Sequence, residues 1–352
     1  MVLLRFNEMI NTYPMKSLLF FMILWLSMLF VSAQSQSPKA ICISFYNVEN
    51  LFDTIDSPDT DDREFLPGGL NQWNSAKYQA KLSNLAKVIG QIGDEFIPGG
   101  PSVIGLSEIE NRLVLEDLVN TPPLKGKGYG IVHFDSPDGR GVDVGLLYKY
   151  SVMKVKAALS VPVRMPGNPG FKTRDQLVVS GEIGGEMMHF IVNHWPSRRS
   201  GPEYRAAAAT VTRRIVDSLQ SAYPSAAIVI MGDLNDDPSD PSVAKILNTL
   251  GQKKELRRDD LFNPMWKMFK DGVGSLAYRD SWNLFDQIIV SEPLVNAPQG
   301  KFKLNKTRVF NRKYLLNEEG QYAGYPFRTF AGGAYTGGYS DHLPVFVILV
   351  RE

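Results

Sequence analysis

Short apolar runs rich in β-branched residues recur along the chain, each bounded by polar or glycine-containing stretches. They are Ile41–Tyr46, Val103–Leu106, Tyr129–Phe134, Val142–Tyr148, Gln176–Ile183, Met187–Val192, Ala226–Met231, Phe285–Val290 and Val345–Val350. Runs this short favour strands over helices. Gly184-Gly185 between two of them marks a tight hairpin. Helical spacing is confined to a few stretches. Tyr78, Leu82, Leu85, Ala86 and Ile89 share one face, as do Val211, Ile215, Val216 and Leu219 in a helix predicted to begin near Glu203. A third helix is expected to start with Asp240 as N-cap and Pro241 in the first turn, burying Val243, Ile246, Leu247 and Leu250. Many strands, a hairpin and few helices do not suit a regular βαβ repeat. They predict an α/β chain of two packed sheets with helices on the outer faces.

No internal repeat, low-complexity segment or Pro/Ser-rich linker divides the chain after its first residues. Glu292 to Tyr339 reads as one long, aromatic-rich loop with seven Lys/Arg against three Glu. It is either a solvated excursion with a few strands of its own or a substrate-facing flap carrying phosphate contacts.

The N-terminus reads as a targeting segment. Lys16 precedes Leu18 to Val31, a run broken only by Ser27, and Val31-Ser32-Ala33 offers small residues before Gln34. That is the layout of a signal peptide over residues 1–33, with Met15 as a natural start. The run falls short of the roughly 20 apolar residues a membrane span needs. The expectation is therefore an exported protein (periplasmic, extracellular or cell-surface) with no span in its mature form, and a single catalytic domain over 34–352. Setting aside Arg5, Glu8 and Lys16 leaves equal numbers of basic and acidic side chains, so the strongly basic balance of a dedicated nucleic-acid binder is missing. Cys42 is the only cysteine, which excludes an internal disulfide. Its place in an apolar run predicts a buried, inert thiol.

The candidate chemistry gathers at strand ends. Asn47 closes the first run, Glu108 the second, and His194 follows Val192-Asn193. Asp233 and Asn235 lie in Gly232-Asp233-Leu234-Asn235, Asp286 opens another run, and Asp341-His342 stand just before the last. These are carboxylates, amides and two imidazoles, with no cysteine cluster and no close histidine pair. Such oxygen donors suit Mg²⁺, Mn²⁺ or Ca²⁺ rather than a structural zinc. A Walker-type loop and a serine nucleophile elbow are both missing from the sequence.

The order of these motifs resembles the endonuclease/exonuclease/phosphatase superfamily from Asn47 to His342. Gly232-Asp233-Leu234-Asn235 and Ser340-Asp341-His342-Leu343-Pro344 are the most specific pieces. Asn47-Val48-Glu49-Asn50-Leu51-Phe52-Asp53 and Asn193-His194-Trp195-Pro196-Ser197-Arg198 look like its exported bacterial branch. The resemblance implies a four-layer sandwich of two packed mixed β-sheets flanked by helices. It implies Glu108 as main metal ligand, with Asn47 and Asp341 in the metal shell. Asp233 would orient or deprotonate the attacking water, and Asn235 would contact the phosphoryl oxygens. His342, oriented by Asp286, would meet the scissile phosphate, and His194 would meet it from the other side. Arg140, Arg198 and Arg199 are candidate phosphate contacts.

Together these readings predict a Mg²⁺-dependent phosphoesterase, with DNA or RNA phosphodiesters as first substrate. The alternatives are a hydrolase of small or lipid-linked phosphate esters, such as sphingomyelin or inositol phosphates, and a non-catalytic surface binding protein on the same fold. No protein partner can be inferred.

Overall fold

Ile41, Ile43 and Phe45 face one side of the first strand, while Cys42, Tyr46 and Val48 face the other, and both sets are buried. A strand apolar on both faces must lie between two layers. The computed structural model describes residues 38–352, so the expected leader and its cleavage site lie outside the described residues. The strand is β1 (Ala40–Leu51), followed by α1 (Ser75–Ile89), β2 (Val103–Ile109), α2 (Arg112–Asn120), β3 (Tyr129–His133), β4 (Asp143–Lys149), β5 (Met153–Val161), β6 (Gln176–Ile183) and β7 (Glu186–His194). Then come α3 (Pro202–Ala222), β8 (Ala227–Asp233), β9 (Thr249–Leu250), β10 (Leu261–Phe262), α4 (Met265–Lys270), β11 (Leu276–Tyr278), β12 (Ser281–Asn283) and β13 (Asp286–Ser291). The last are β14 (Lys303–Val309), β15 (Phe330–Ala331), β16 (Ala334–Tyr335) and β17 (Val345–Val350).

Two large mixed sheets result, in the orders β14-β17-β1-β2-β4-β3 and β5-β6-β7-β8-β13-β10-β9. The inner faces meet through Phe45, Leu146 and Val347 from the first sheet and Phe190, Met231 and Ile288 from the second. Helices α1 and α2 cover the outer face of the first sheet through Leu82, Leu85 and Leu115. Helix α3 covers that of the second through Ala208, Ala209 and Val216. This is the expected four-layer α/β sandwich. Asn74 and Asn111 start α1 and α2 by accepting from the amides of Lys77 and Val114, and Pro202 sits in the first turn of α3. Among the described residues no helix is long and apolar enough to cross a membrane.

One expectation needs correction. The third helix is a five-residue turn, Ser242–Ile246. The Asp240 carboxylate is engaged by the Asp237 amide and by Arg198 instead of capping it. Thr249–Leu250 then leaves as an edge strand paired with β10. The excursion from Glu292 does carry strands of its own. Lys303–Val309 pairs antiparallel with β17 and forms the edge of the first sheet. Its charged outer positions are those of an edge strand that must stay soluble. Cys42 is buried as expected, and burial pushes its thiol up to about 12.

Candidate active site

Three neighbouring strands set His194, Asp233 and Asp286 side by side. In the register of β7, β8 and β13, His194 pairs with Asp233, and Asp233 pairs with Asp286. Cross-strand partners point to the same face, so the backbone ladder alone makes a row of one imidazole and two carboxylates. Gly232 permits this pairing: a Cβ there would stand 2.4 Å from the Asn193 carbonyl oxygen.

The other sheet supplies the facing groups. Asn47 Nδ2 crosses from β1 to donate to Asp233 Oδ2 at 3.0 Å. Glu108, near the end of β2, brings Oε1 to 3.8 Å from His194 Nε2. His342, just before β17, places Nε2 3.8 Å from Asp233 Oδ2 and Nδ1 2.7 Å from Asp286 Oδ2. Register shifts interrupt β1 after Asn47 and β2 after Ser107, and such bulges re-aim side chains at strand ends. Glu49, Asn50, Glu108 and Asn235 all have φ between 51 and 62°. Four non-glycine residues in the left-handed region around one site is the kind of backbone strain that functional sites hold.

The buried charges settle into a definite pattern. Burial works against an imidazolium at His342, but Asp286, Asp233 and Asp341 outweigh it and hold its pKa well above the ordinary range. His194 goes the other way: burial, then the charges of Arg174, Arg140 and His342, push it well below, so it is neutral. Asp233 is raised by burial and by Asp286, against the pull of His342. Of the two histidines expected at the phosphate, His342 is the one whose surroundings favour the imidazolium. His194 keeps an imidazole whose Nδ1 has no hydrogen-bond partner.

Each remaining sequence candidate has a place. Asn235 fixes Asp233 by donating its backbone N–H to Oδ1 at 3.0 Å, and its own amide donates to the Trp195 carbonyl. Asp341 lies 3.9 Å from His342 Nε2 but is held at 3.0 Å by Arg328. Arg140 comes within 3.8 Å of Glu108 and is half exposed. Arg198 is drawn aside by Asp237 and Asp240, at 3.1 and 2.7 Å. Arg199 is exposed on the wall of a pocket of about 770 Å³ that opens from His342.

Sequence reasoning missed a supporting network. Glu49 accepts from Arg328 Nε at 2.9 Å and from the Thr329 amide, and stands 3.8 Å from Lys81 Nζ. Lys81 is fully buried and donates to Thr329 Oγ1 and the Tyr339 carbonyl. Arg174 clasps the carbonyls of His194 and Trp195 and pairs with Asp138. Ser275 Oγ donates to the Asp286 oxygen that holds His342. Glu49 was within reach of the sequence, as an acid two residues past Asn47 on the same strand. Lys81, on the apolar face of a helix, carried no such signal.

Oxygen donors at the site suit a divalent cation. Glu108 Oε2 accepts from the Asn50 amide at 3.0 Å, while Oε1 has no hydrogen bond among the described residues. Asn47 Oδ1 accepts only from the Glu49 amide, which leaves it a second lone pair. Asp233, Asp286 and His342 also converge closely enough to hold an ion, but His342 is already committed to Asp286. Glu108 and Asn47, whose oxygens are less committed, are therefore the better fit to a divalent cation.

A sequence model of the Endonuclease/Exonuclease/phosphatase family matches residues 42–351. A search of the curated proteins gives no match. Among solved structures, truncated TDP2 of Caenorhabditis elegans is 14% identical with a TM-score of 0.54, covering 90% of this chain and 100% of that one. An endonuclease/exonuclease/phosphatase family protein of Bacteroides thetaiotaomicron is 15% identical with a TM-score of 0.56, covering 90% and 99%. A mannosyl-6-phosphatase of Bacteroides thetaiotaomicron is also 15% identical, with a TM-score of 0.53 over 88% and 99%. At such identities these likenesses concern the fold.

Proposed function

The chain belongs to the endonuclease/exonuclease/phosphatase family, and from that premise we propose that it hydrolyses phosphodiesters, with nucleic acid as first substrate. Its family consists of hydrolases acting on phosphoester bonds. The observation that carries the finer reading is the imidazole of His342, clamped at Nδ1 by Asp286 with Nε2 turned towards Asp233.

A phosphodiester is anionic and repels its nucleophile, so catalysis needs cationic donors on the phosphoryl oxygens. In this reading His342 Nε2–H supplies one, and Asp286 keeps the ring charged and fixed. Asp233 accepts a proton from the attacking water, oriented by Asn47 Nδ2 on one oxygen and the Asn235 amide on the other. Neutral His194, with Nε2 3.6 Å from Asp233 and 3.8 Å from Glu108, would offer the phosphate a hydrogen bond without adding charge. Glu108 and Asn47 would hold Mg²⁺, which when bound supplies Lewis-acid neutralisation of the phosphate. Arg328 keeps Glu49 and Asp341 paired, so those acids do not add uncompensated negative charge beside the substrate.

The second reading, hydrolysis of small phosphate esters, is favoured by the compact pocket beside His342. The signal-peptide pattern of the sequence supports an activity outside the cytoplasm in this reading. A panel of plasmid DNA, RNA, bis-p-nitrophenyl phosphate, sphingomyelin and inositol phosphates, each with Mg²⁺ and with EDTA, tests the proposal. Metal-dependent cleavage of the diesters supports it. Failure to turn over any member sinks it.

A further inference from the structure

We propose that the pocket opening from His342 binds a second phosphate of the substrate, with Arg199 and Arg279 as its ligands and Tyr278 and Tyr322 flanking the ring that joins the two phosphates. The proposal rests on the phosphoesterase reading above and adds to it the substrate class: a compact phosphate–ring–phosphate unit.

The pocket's four arginines are not equivalent. Arg198 and Arg328 are spent on acids, the first on Asp237 and Asp240, the second on Glu49 and Asp341. Arg199 and Arg279 line the same pocket and make no ion pair among the described residues. Guanidinium groups without a carboxylate, beside a catalytic imidazolium, form a site for anionic oxygens. Their walls are aromatic. Tyr278 is 61% exposed and Tyr322 43%, though large aromatic side chains are usually mostly buried. The Arg279 guanidinium lies 5.2 Å from the centre of the Tyr278 ring, which limits its freedom before any ligand arrives.

The hairpin carrying these groups is braced at both ends. At its root, Leu276 bridges to His342 through the backbone, and the Leu343 amide donates to the Ser275 carbonyl at 2.7 Å. At its tip, Tyr325 Oη accepts from the Asp280 amide at 2.7 Å and donates to the Asp280 carboxylate. The turn residues Arg279 and Asp280 have φ of 48° and 61°, where such two-residue turns favour Asn-Gly. An arginine held at a strained, doubly tied turn directly joined to the catalytic histidine is placed for contact with substrate. The volume of about 770 Å³ suits a compact ligand such as a nucleotide or a polyol phosphate.

The test compares kcat/KM for the dinucleotide TpT against its 5′-phosphorylated form, and for an inositol monophosphate against a bisphosphate, all in Mg²⁺. The wild-type protein should prefer the doubly phosphorylated member of at least one pair by roughly tenfold, the scale of a charge-assisted contact to a phosphate. Which pair shows the preference identifies the ring. Arg279→Ala should bring that preference close to one, mainly through KM, with an unchanged melting temperature; Arg199→Ala should reduce it. Equal kcat/KM within both pairs, or a preference that survives both substitutions, overturns the second-phosphate site while leaving the hydrolytic reading in place. If the wild-type protein turns over neither these substrates nor bis-p-nitrophenyl phosphate, both fall.

Discussion

His342 Nδ1 meets Asp286 Oδ2 at 2.7 Å, joining the segment just before β17 of one sheet to the start of β13 in the other. This contact closes one end of the sandwich and sets the charge of the ring that faces Asp233. Asp286 is completely buried, and its second oxygen has no partner, so its negative charge is directed at the imidazole.

Asp286→Asn should keep the fold and lose the charge. The imidazolium then loses its closest counter-ion, and turnover should fall by roughly a hundredfold or more, the scale of a misplaced acid–base group. Steady-state kinetics beside a near-ultraviolet circular dichroism spectrum checks this. Wild-type turnover in a folded Asp286→Asn protein would show that the pairing is architectural only.

Glu108→Gln replaces the free carboxylate oxygen with a neutral one. The Mg²⁺ concentration needed for half-maximal activity should rise roughly tenfold or more, since neighbouring ligands and their supports commonly carry that much. A metal titration of activity reads the shift, and an unaltered requirement would move the cation elsewhere.

Lys81 gives a pH signature in stability. Burial, partly offset by Glu49 and Asp341, lowers its pKa from 10.5 to about 8. Between those values the unfolded chain binds the proton that the folded chain has released, so wild-type stability should rise with pH across the window. The gain relative to Lys81→Met is at most about 1.4 kcal/mol per pH unit. Urea denaturation of both proteins at the two ends of the window measures it. A wild-type advantage that shrinks with rising pH would mean that the folded protein keeps the ammonium charged.

Gly232→Ala forces a Cβ against the Asn193 carbonyl oxygen at 2.4 Å, where backbone, not a flexible side chain, must give way. A loss of about 1–3 kcal/mol is expected from overpacking, with the row of His194, Asp233 and Asp286 distorted. Thermal unfolding gives the first effect and kcat the second. A melting temperature equal to the wild type would show that β7 and β8 can separate without penalty.

The sandwich was legible because its strands are apolar and short. Gln176–Ile183 and Val345–Val350 have the bounds their composition suggested. Met153–Val161 was not foreseen, because an edge strand that alternates exposed and half-buried residues resembles a loop. Strands were expected between Glu292 and Tyr339, but the place of Lys303–Val309 was hidden for the same reason, with Lys303 and Arg308 on its exposed side. At the site, Asn47, Asp233, Asp286 and His342 were readable as polar groups at strand mouths, and the structure brings them together. Their pairings were only partly readable. Asp341 sits beside His342 in sequence yet is held by Arg328, a residue of the intervening loop, and that contact depends on tertiary structure. The opposite charge states of the two histidines likewise follow from which buried neighbours surround each ring, which no local sequence window contains.

Metal-assisted phosphodiester hydrolysis by this site is tested most directly by turnover of bis-p-nitrophenyl phosphate in Mg²⁺, in EDTA, and by His342→Ala. The expected result is steady hydrolysis by the wild-type protein in Mg²⁺, none in EDTA, and a loss of roughly 10²–10⁴-fold in a folded His342→Ala protein. Hydrolysis that persists in EDTA, or a folded His342→Ala protein as active as the wild type, would contradict it.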